Sequence, residues 1–303
     1  MRCLFVIAAA VCCGASELSA VVIASGDGSG NTTAPPDDPG FENIGGMGSG
    51  SVVYLGDRWI LTAAHLGTGV TAAGFDGTNY NWEPGTETRL SNPAGSGLSG
   101  VVDLRMARLD SDPGLPALTI ASAAPSAGED VIMAGRGKTR QASDFHWDVT
   151  VLPDPDPDIW TEVMGPPADA SGFKSDGAKI ARWGENEVDE ASLVVNTGWG
   201  DTQSFSTQFD APGMTHEAQG ANGDSGGGVF VKRGGSWELI GLMHSISVFD
   251  GQPGDTAVYG NKTNAADLSF YRDEILAVMA VPEPATASLV LAVTSCLSFR
   301  RRR

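Results

Sequence analysis

Short apolar runs separated by polar, glycine-rich punctuation dominate the chain, and no run keeps a 3.6-residue period until about residue 264. Ser51 to Leu61 (SVVYLGDRWIL) places two apolar stretches around Gly56-Asp57, which predicts a β-hairpin. Gly100 to Leu109, Val131 to Ala134, Gly228 to Val231 and Leu239 to Met243 predict further short strands, and Gly234-Gly235 predicts the turn between the last two. Val21 to Gly50, rich in Gly, Asp, Asn and Pro, reads as extended loop across a surface. Asn264 to Met279 carries Leu268, Tyr271, Ile275 and Val278 on one face and predicts a single terminal helix. Many short strands closed by one helix predict an antiparallel barrel or sandwich, and the pattern alone goes no further.

Composition sharpens this. With 40 glycines and 17 prolines among 303 residues, turns are abundant and a helical bundle is disfavoured. The formal charge of −18 argues against a nucleic-acid partner, because phosphate binding relies on clustered Lys and Arg. The four cysteines, Cys3, Cys12, Cys13 and Cys296, all lie near the ends, so the body between them holds no disulfide and no thiolate metal site.

Both ends read as addresses. Residues 1–20 place Arg2 before the apolar run Leu4 to Val11 and finish on the small residues Ser19-Ala20, the layout of a secretory signal peptide; the expected cut follows Ala20, or else Ala24. The far end runs Val281-Pro282-Glu283-Pro284, then apolar Ala285 to Phe299, then Arg300 to Arg303. Residues 281–303 resemble a PEP-CTERM sorting signal. That resemblance implies a Gram-negative bacterium, export through signal peptidase, transient membrane contact through the tail, handling by an exosortase, and release or display at the cell surface or in its extracellular matrix. An ordinary membrane anchor is the alternative.

Three segments carry the candidate chemistry: Thr62-Ala63-Ala64-His65 directly after an apolar strand, Asp103-Leu104-Arg105-Met106-Ala107-Arg108-Leu109, and Gly223-Asp224-Ser225-Gly226-Gly227. A serine hydroxyl is a poor nucleophile until a base takes its proton; a histidine can do so near neutral pH, and a carboxylate then fixes its tautomer. The three segments resemble the signatures of the chymotrypsin/trypsin family of serine proteases, in that family's His, Asp, Ser order. Ser49 to His65, Ala134-Gly135-Arg136-Gly137 and Gly241-Leu242-Met243 extend the likeness over most of the body. The resemblance implies an all-β fold of two antiparallel β-barrels with one C-terminal helix: a protease domain over 21–280, with a first barrel about 21–115, a second about 116–265 and the helix about 264–279. It implies a secreted endopeptidase acting on protein or peptide substrates with no cofactor. His65 would be the base, Asp103 its orienting partner, Ser225 the nucleophile, and the N–H groups of Gly223 and Ser225 the oxyanion hole. A catalytically silent surface or matrix protein built on the same barrels is the competing reading.

Departures bear on detail. Leu66 and Ala221 stand where many members have cysteine, and Arg136 where an aromatic is commoner. The interval from Asp103 to Ser225 is long, with the excess expected in Leu152 to Glu190; Asp154, Asp156 and Asp158 there are candidate calcium ligands, although a stiff acidic surface loop is the preferred reading. The resemblance makes Asp224 the partner of a freed N-terminal amine, and Val21 fits that terminus better than Ile44, which lies too near His65. Gln219, at the expected base of the substrate pocket, carries no charge to hold Arg or Lys. His244 falls near the pocket strand and raises the alternative of a glutamyl preference, while Ile246 occupies a place where glycine normally leaves room. His146 and His216 read as surface or loop histidines.

Overall fold

Strand after strand, the short apolar runs pair antiparallel into two curled sheets. The computed structural model describes residues 21–67 and 69–281; the expected signal segment 1–20, and all of the expected sorting tail except Val281, lie outside the described residues. The first sheet has seven strands in the spatial order Thr78–Asn81, Ala72–Phe75, Ile44–Met47, Gly50–Gly56, Trp59–Thr62, Arg105–Arg108 and Thr88–Arg89. The second is a closed barrel of Arg182–Asn196, Asp201–Gln208, Lys262–Asp267, Ser236–Ser247, Gly228–Arg233 and Asp130–Gly135. The hairpin around Gly56-Asp57 forms with Gly56 opposite Trp59 and Val53 opposite Leu61. That register keeps Val53, Leu55 and Leu61 in one buried cluster, while Val52, Tyr54 and Ile60 fill another on the opposite face.

The terminal helix runs Leu268–Met279 rather than starting near residue 264. Asn264, Ala265 and Ala266 belong instead to the strand Lys262–Asp267, paired with Ser204–Ser206 and with Leu242–Ser245. Barrel pairing on both edges outweighs a helical apolar period there. Asp267 ends the strand and caps the helix, its carboxylate accepting from Ser269 N and Phe270 N.

The arm from Val21 also departs from a plain surface loop. Val22 and Ile23 pair with Gln219 and Ala218, and both apolar side chains are buried. Beyond them side chains do the anchoring. Arg140 donates to the carbonyls of Ile23 and Gly26 at 2.7 Å each, Arg182 to Gly30 at 2.7 Å, and Trp183 to Thr33 at 2.8 Å. Backbone carbonyls need partners whether or not the local sequence is apolar.

The long interval folds into a small sheet of its own. Lys138–Arg140, Ala170–Lys179, Phe145–Thr150 and Ile159–Val163 line up in that order, and Thr256–Val258 joins the edge of Ala170–Lys179. Phe173, Phe209 and Ala257 pack beneath it with Tyr259, and Arg140 lies 3.8 Å over the Phe173 ring. Asp154 and Asp156 are exposed, and among the described residues no group of acidic, His or Cys side chains is arranged to hold a metal ion.

Candidate active site

His65 sits in a short 3-10 turn, Ala64–Leu66, directly after the buried strand Trp59–Thr62. Asp103, fully buried, fixes that turn twice. Its Oδ1 accepts the His65 backbone N–H at 2.8 Å and its Oδ2 lies 2.7 Å from His65 Nδ1. The Asp103 carbonyl also accepts from Ala64 N, and Thr197 Oγ1 donates weakly to Oδ2 at 3.4 Å. Thr202 Oγ1 accepts the Asp103 N–H at 3.3 Å from the second barrel, so the Asp103 backbone is tied to the second sheet while its carboxylate holds His65. Nothing in the sequence singled out Thr202 or Thr197, because their partner is distant in the chain. One ring nitrogen of His65 is thus committed to a carboxylate, and the half-buried ring leaves the other for proton transfer.

Ser225 lies on a turn built from glycines. Gly223 has φ +101° and Gly226 φ +87°, conformations an L side chain rarely adopts. A Cβ on Gly223 would sit 2.9 Å from Gly137 Cα and 3.0 Å from Ser49 O, so only bare backbone fits. The turn is clamped from several sides: Ser51 N donates to Ser225 O at 2.8 Å, Gly226 N to Met243 O at 2.8 Å, and Ser51 Oγ to Gly223 O at 2.9 Å. Among the described residues, neither the N–H of Gly223 nor that of Ser225 has an acceptor. Gly50 brings the two turns together: its Cβ position lies 2.9 Å from Ser225 O and inside the side chain of Leu66, the neighbour of His65. The Leu66 side chain packs directly over the bare Gly50.

Asp224 is buried, with its carboxylate turned to the arm at Val21. Its carboxylate accepts Gly137 N at 2.8 Å, Ala221 N at 2.7 Å and Val21 N at 3.1 and 3.2 Å. Burial is the largest influence on it and raises its pKa to about 6, against the lowering effect of those N–H groups. Glycines at 135 and 137 permit this approach, since a Cβ at either would strike the Asp224 side chain. That explains the Ala134-Gly135-Arg136-Gly137 pattern.

Beside Ser225 opens a cavity of about 320 Å³, with Gln219, Asp224, Met243, His244, Ile246 and Thr263 among its walls. Gln219 is buried and its Oε1 has no hydrogen-bond partner. Ile246 lines the cavity without filling it. His244 is buried, its Nε2 lies 3.0 Å from Ser204 Oγ, and burial pushes its pKa down to about 4, so the ring is neutral at pH 7. His216 is remote from the cleft, packed 5.1 Å from Trp183 and bonded to Ser25 Oγ. His146 lies on the strand Phe145–Thr150, opposite Val163.

No family model matches the chain, and no curated protein matches its sequence. Among solved structures, a mutant of human heparin binding protein is similar at 14% identity over 84% of this chain and 98% of that one, with TM-score 0.51. An atomic-resolution structure of heparin binding protein gives 16% over 84% and 98%, with TM-score 0.50. Neuropsin, a serine protease expressed in mouse brain, gives 15% over 83% and 99%, with TM-score 0.49. The chain has the chymotrypsin-like two-barrel fold, mostly β and closed by one C-terminal helix.

Proposed function

We propose that the protein is a serine endopeptidase working through an acyl-enzyme. The observation that carries this reading is the His65–Asp103 pair, bonded at Nδ1 and through the backbone, set beside a glycine-built turn that presents Ser225. Ser225 Oγ attacks the peptide carbonyl while His65 takes its proton. Asp103 holds the imidazole tautomer and stabilises the imidazolium, and the N–H groups of Gly223 and Ser225 receive the oxyanion. His65 then protonates the leaving amine, and water, activated the same way, releases the acyl group. The pocket walls suit an uncharged side chain: Gln219 offers no carboxylate for Arg or Lys, the Asp224 and Asp255 carboxylates are already engaged by backbone N–H groups and by Lys138, and the neutral His244 offers no cation for Glu.

The same reading includes export, removal of residues 1–20 and handling of the tail by an exosortase, with action outside the cytoplasm. It makes the freed amine of Val21 the ion partner of Asp224. Two observations support that pairing: the bond of Val21 N to both carboxylate oxygens, and a φ of +36° at Val21. Positive φ is strained for a β-branched residue, and a first residue has no φ to strain.

A fluorescent serine-directed phosphonate tests the reading on the full chain and on a form beginning at Val21. Labelling is expected in wild type and absent in Ser225→Ala and His65→Ala. Asp103→Asn is expected to lower kcat by about 10⁴ by allowing the wrong tautomer. A folded protein with a free Val21 amine and no label would mean a silent scaffold.

A further inference from the structure

The small sheet sets two lysines side by side, Lys138 opposite Lys179, astride the Asn222-Gly223 turn. They reach in different directions. Lys138 N donates to Asn222 O, and its Nζ pairs with Asp255 at 2.8 Å on the rim of the substrate cavity; Asn222 Nδ2 bonds the same carboxylate. Lys179 Nζ turns the other way and donates to Ser49 O at 2.6 Å. It lies 3.2 Å from the point a Cβ on Gly223 would occupy. Among the described residues no carboxylate pairs with it, although the chain carries a net −18. An ammonium with no counter-charge among the described residues marks a place where an anion is favoured.

Which part of a substrate meets it follows from the cleft. On the proposed reading, the acyl half enters the cavity beside Ser225, walled by Gln219 and Met243 to Ile246. The leaving half departs on the side of the base, since His65 must protonate its amine. That side is bordered by Leu66, Gly50 and Ser49, with Lys179 anchored on Ser49. We infer that Lys179 is a specificity-determining residue that selects peptides carrying an acidic side chain at the first or second residue after the scissile bond. This rests on the serine endopeptidase reading. It adds a choice made on the leaving side to whatever the cavity selects on the acyl side.

The test uses the protein processed to a free Val21 amine and internally quenched peptides that differ only at those two positions, bearing Glu, Ala or Lys. The ratio of kcat/KM for Glu over Ala is expected to be about fivefold higher in wild type than in Lys179→Gln, the size of one partly exposed ion pair. The difference should shrink as salt is raised. Lys179→Glu should turn the order round, with the Lys peptide cleaved faster than the Glu peptide. Cleavage with the same Glu-to-Ala ratio in wild type and Lys179→Gln overturns the inference and leaves the endopeptidase reading standing. If folded wild type with a free Val21 amine cleaves no peptide and takes no phosphonate label, the endopeptidase reading itself fails and this one with it. Should Lys179→Glu fail to fold, the wild-type and Lys179→Gln ratios still decide.

Discussion

At His244 burial matters more than charge. The ring lies on the cavity wall, bonded to Ser204 Oγ, and desolvation holds its pKa near 4, below the 6.5 of an exposed histidine. The sign follows from proton binding. Between pH 6.5 and 4 the unfolded chain takes up a proton here that the folded chain refuses, so stability present above pH 6.5 is lost as the pH falls toward 4. Urea midpoints measured from pH 7 to pH 4 should drop more steeply in wild type than in His244→Asn, which has nothing to titrate; parallel curves would show that the ring is not held neutral. The same residue marks how far the sequence carries. Its place near the pocket strand was legible, whereas its neutrality comes from burial, which depends on segments far away in the chain. His65, Asp103 and Ser225 stood out as candidates because the three segments that hold them resemble protease signatures. Thr202 and Lys179 did not, because a threonine or a lysine in a strand carries no signal until its partner is known.

Among the elements, the terminal helix rests on one residue that closes a strand and opens a helix. Asp267 Oδ1 accepts from Ser269 N at 2.9 Å, and Leu268, Tyr271 and Ile275 are buried against the core. Asp267→Ala is expected to lower stability by about 1 kcal/mol through the lost cap, with the side-chain packing of Tyr271 intact. Chemical denaturation monitored by far-ultraviolet dichroism would read this, and an unchanged midpoint would show that packing alone ends the strand. The apolar spacing located the helix but not its start, because Asn264 to Ala266 fit a helical face and a doubly paired strand alike. The hairpin at Gly56-Asp57 was legible for the opposite reason: both strands and the turn lie within a dozen residues, so local chemistry settles them. The sheet over Lys138 to Lys179 was hidden, since its apolar residues such as Phe145, Trp147 and Phe173 are interspersed with polar ones, and the strand Ala170–Lys179 takes a partner, Thr256–Val258, from far along the chain.

Across the whole molecule, the two sheets meet at Asp103, which draws Thr202 of one to His65 of the other. No cysteine lies among the described residues, so this meeting is secured by side-chain packing and by hydrogen bonds to the arm. The arm was read as a loop because few of its residues are apolar. It is ordered by Arg140 and Arg182 reaching its carbonyls, a device invisible to any hydrophobic pattern.

That arm has a thermodynamic reach beyond its few residues. Val22 is paired with Gln219, and Gln219 is also a wall of the cavity beside Ser225. Seating the arm and filling the cavity are therefore two loads on one strand, and linkage makes their influence mutual: whatever factor the seated arm adds to ligand affinity, a bound ligand returns to the seating of the arm. A peptide aldehyde held on Ser225 should slow chemical acetylation of the Val21 amine, read by mass spectrometry of the form beginning there. An unaltered rate would mean the two sites are deaf to each other. A slowed one would make the protein's own first residues a reporter of what occupies its cleft.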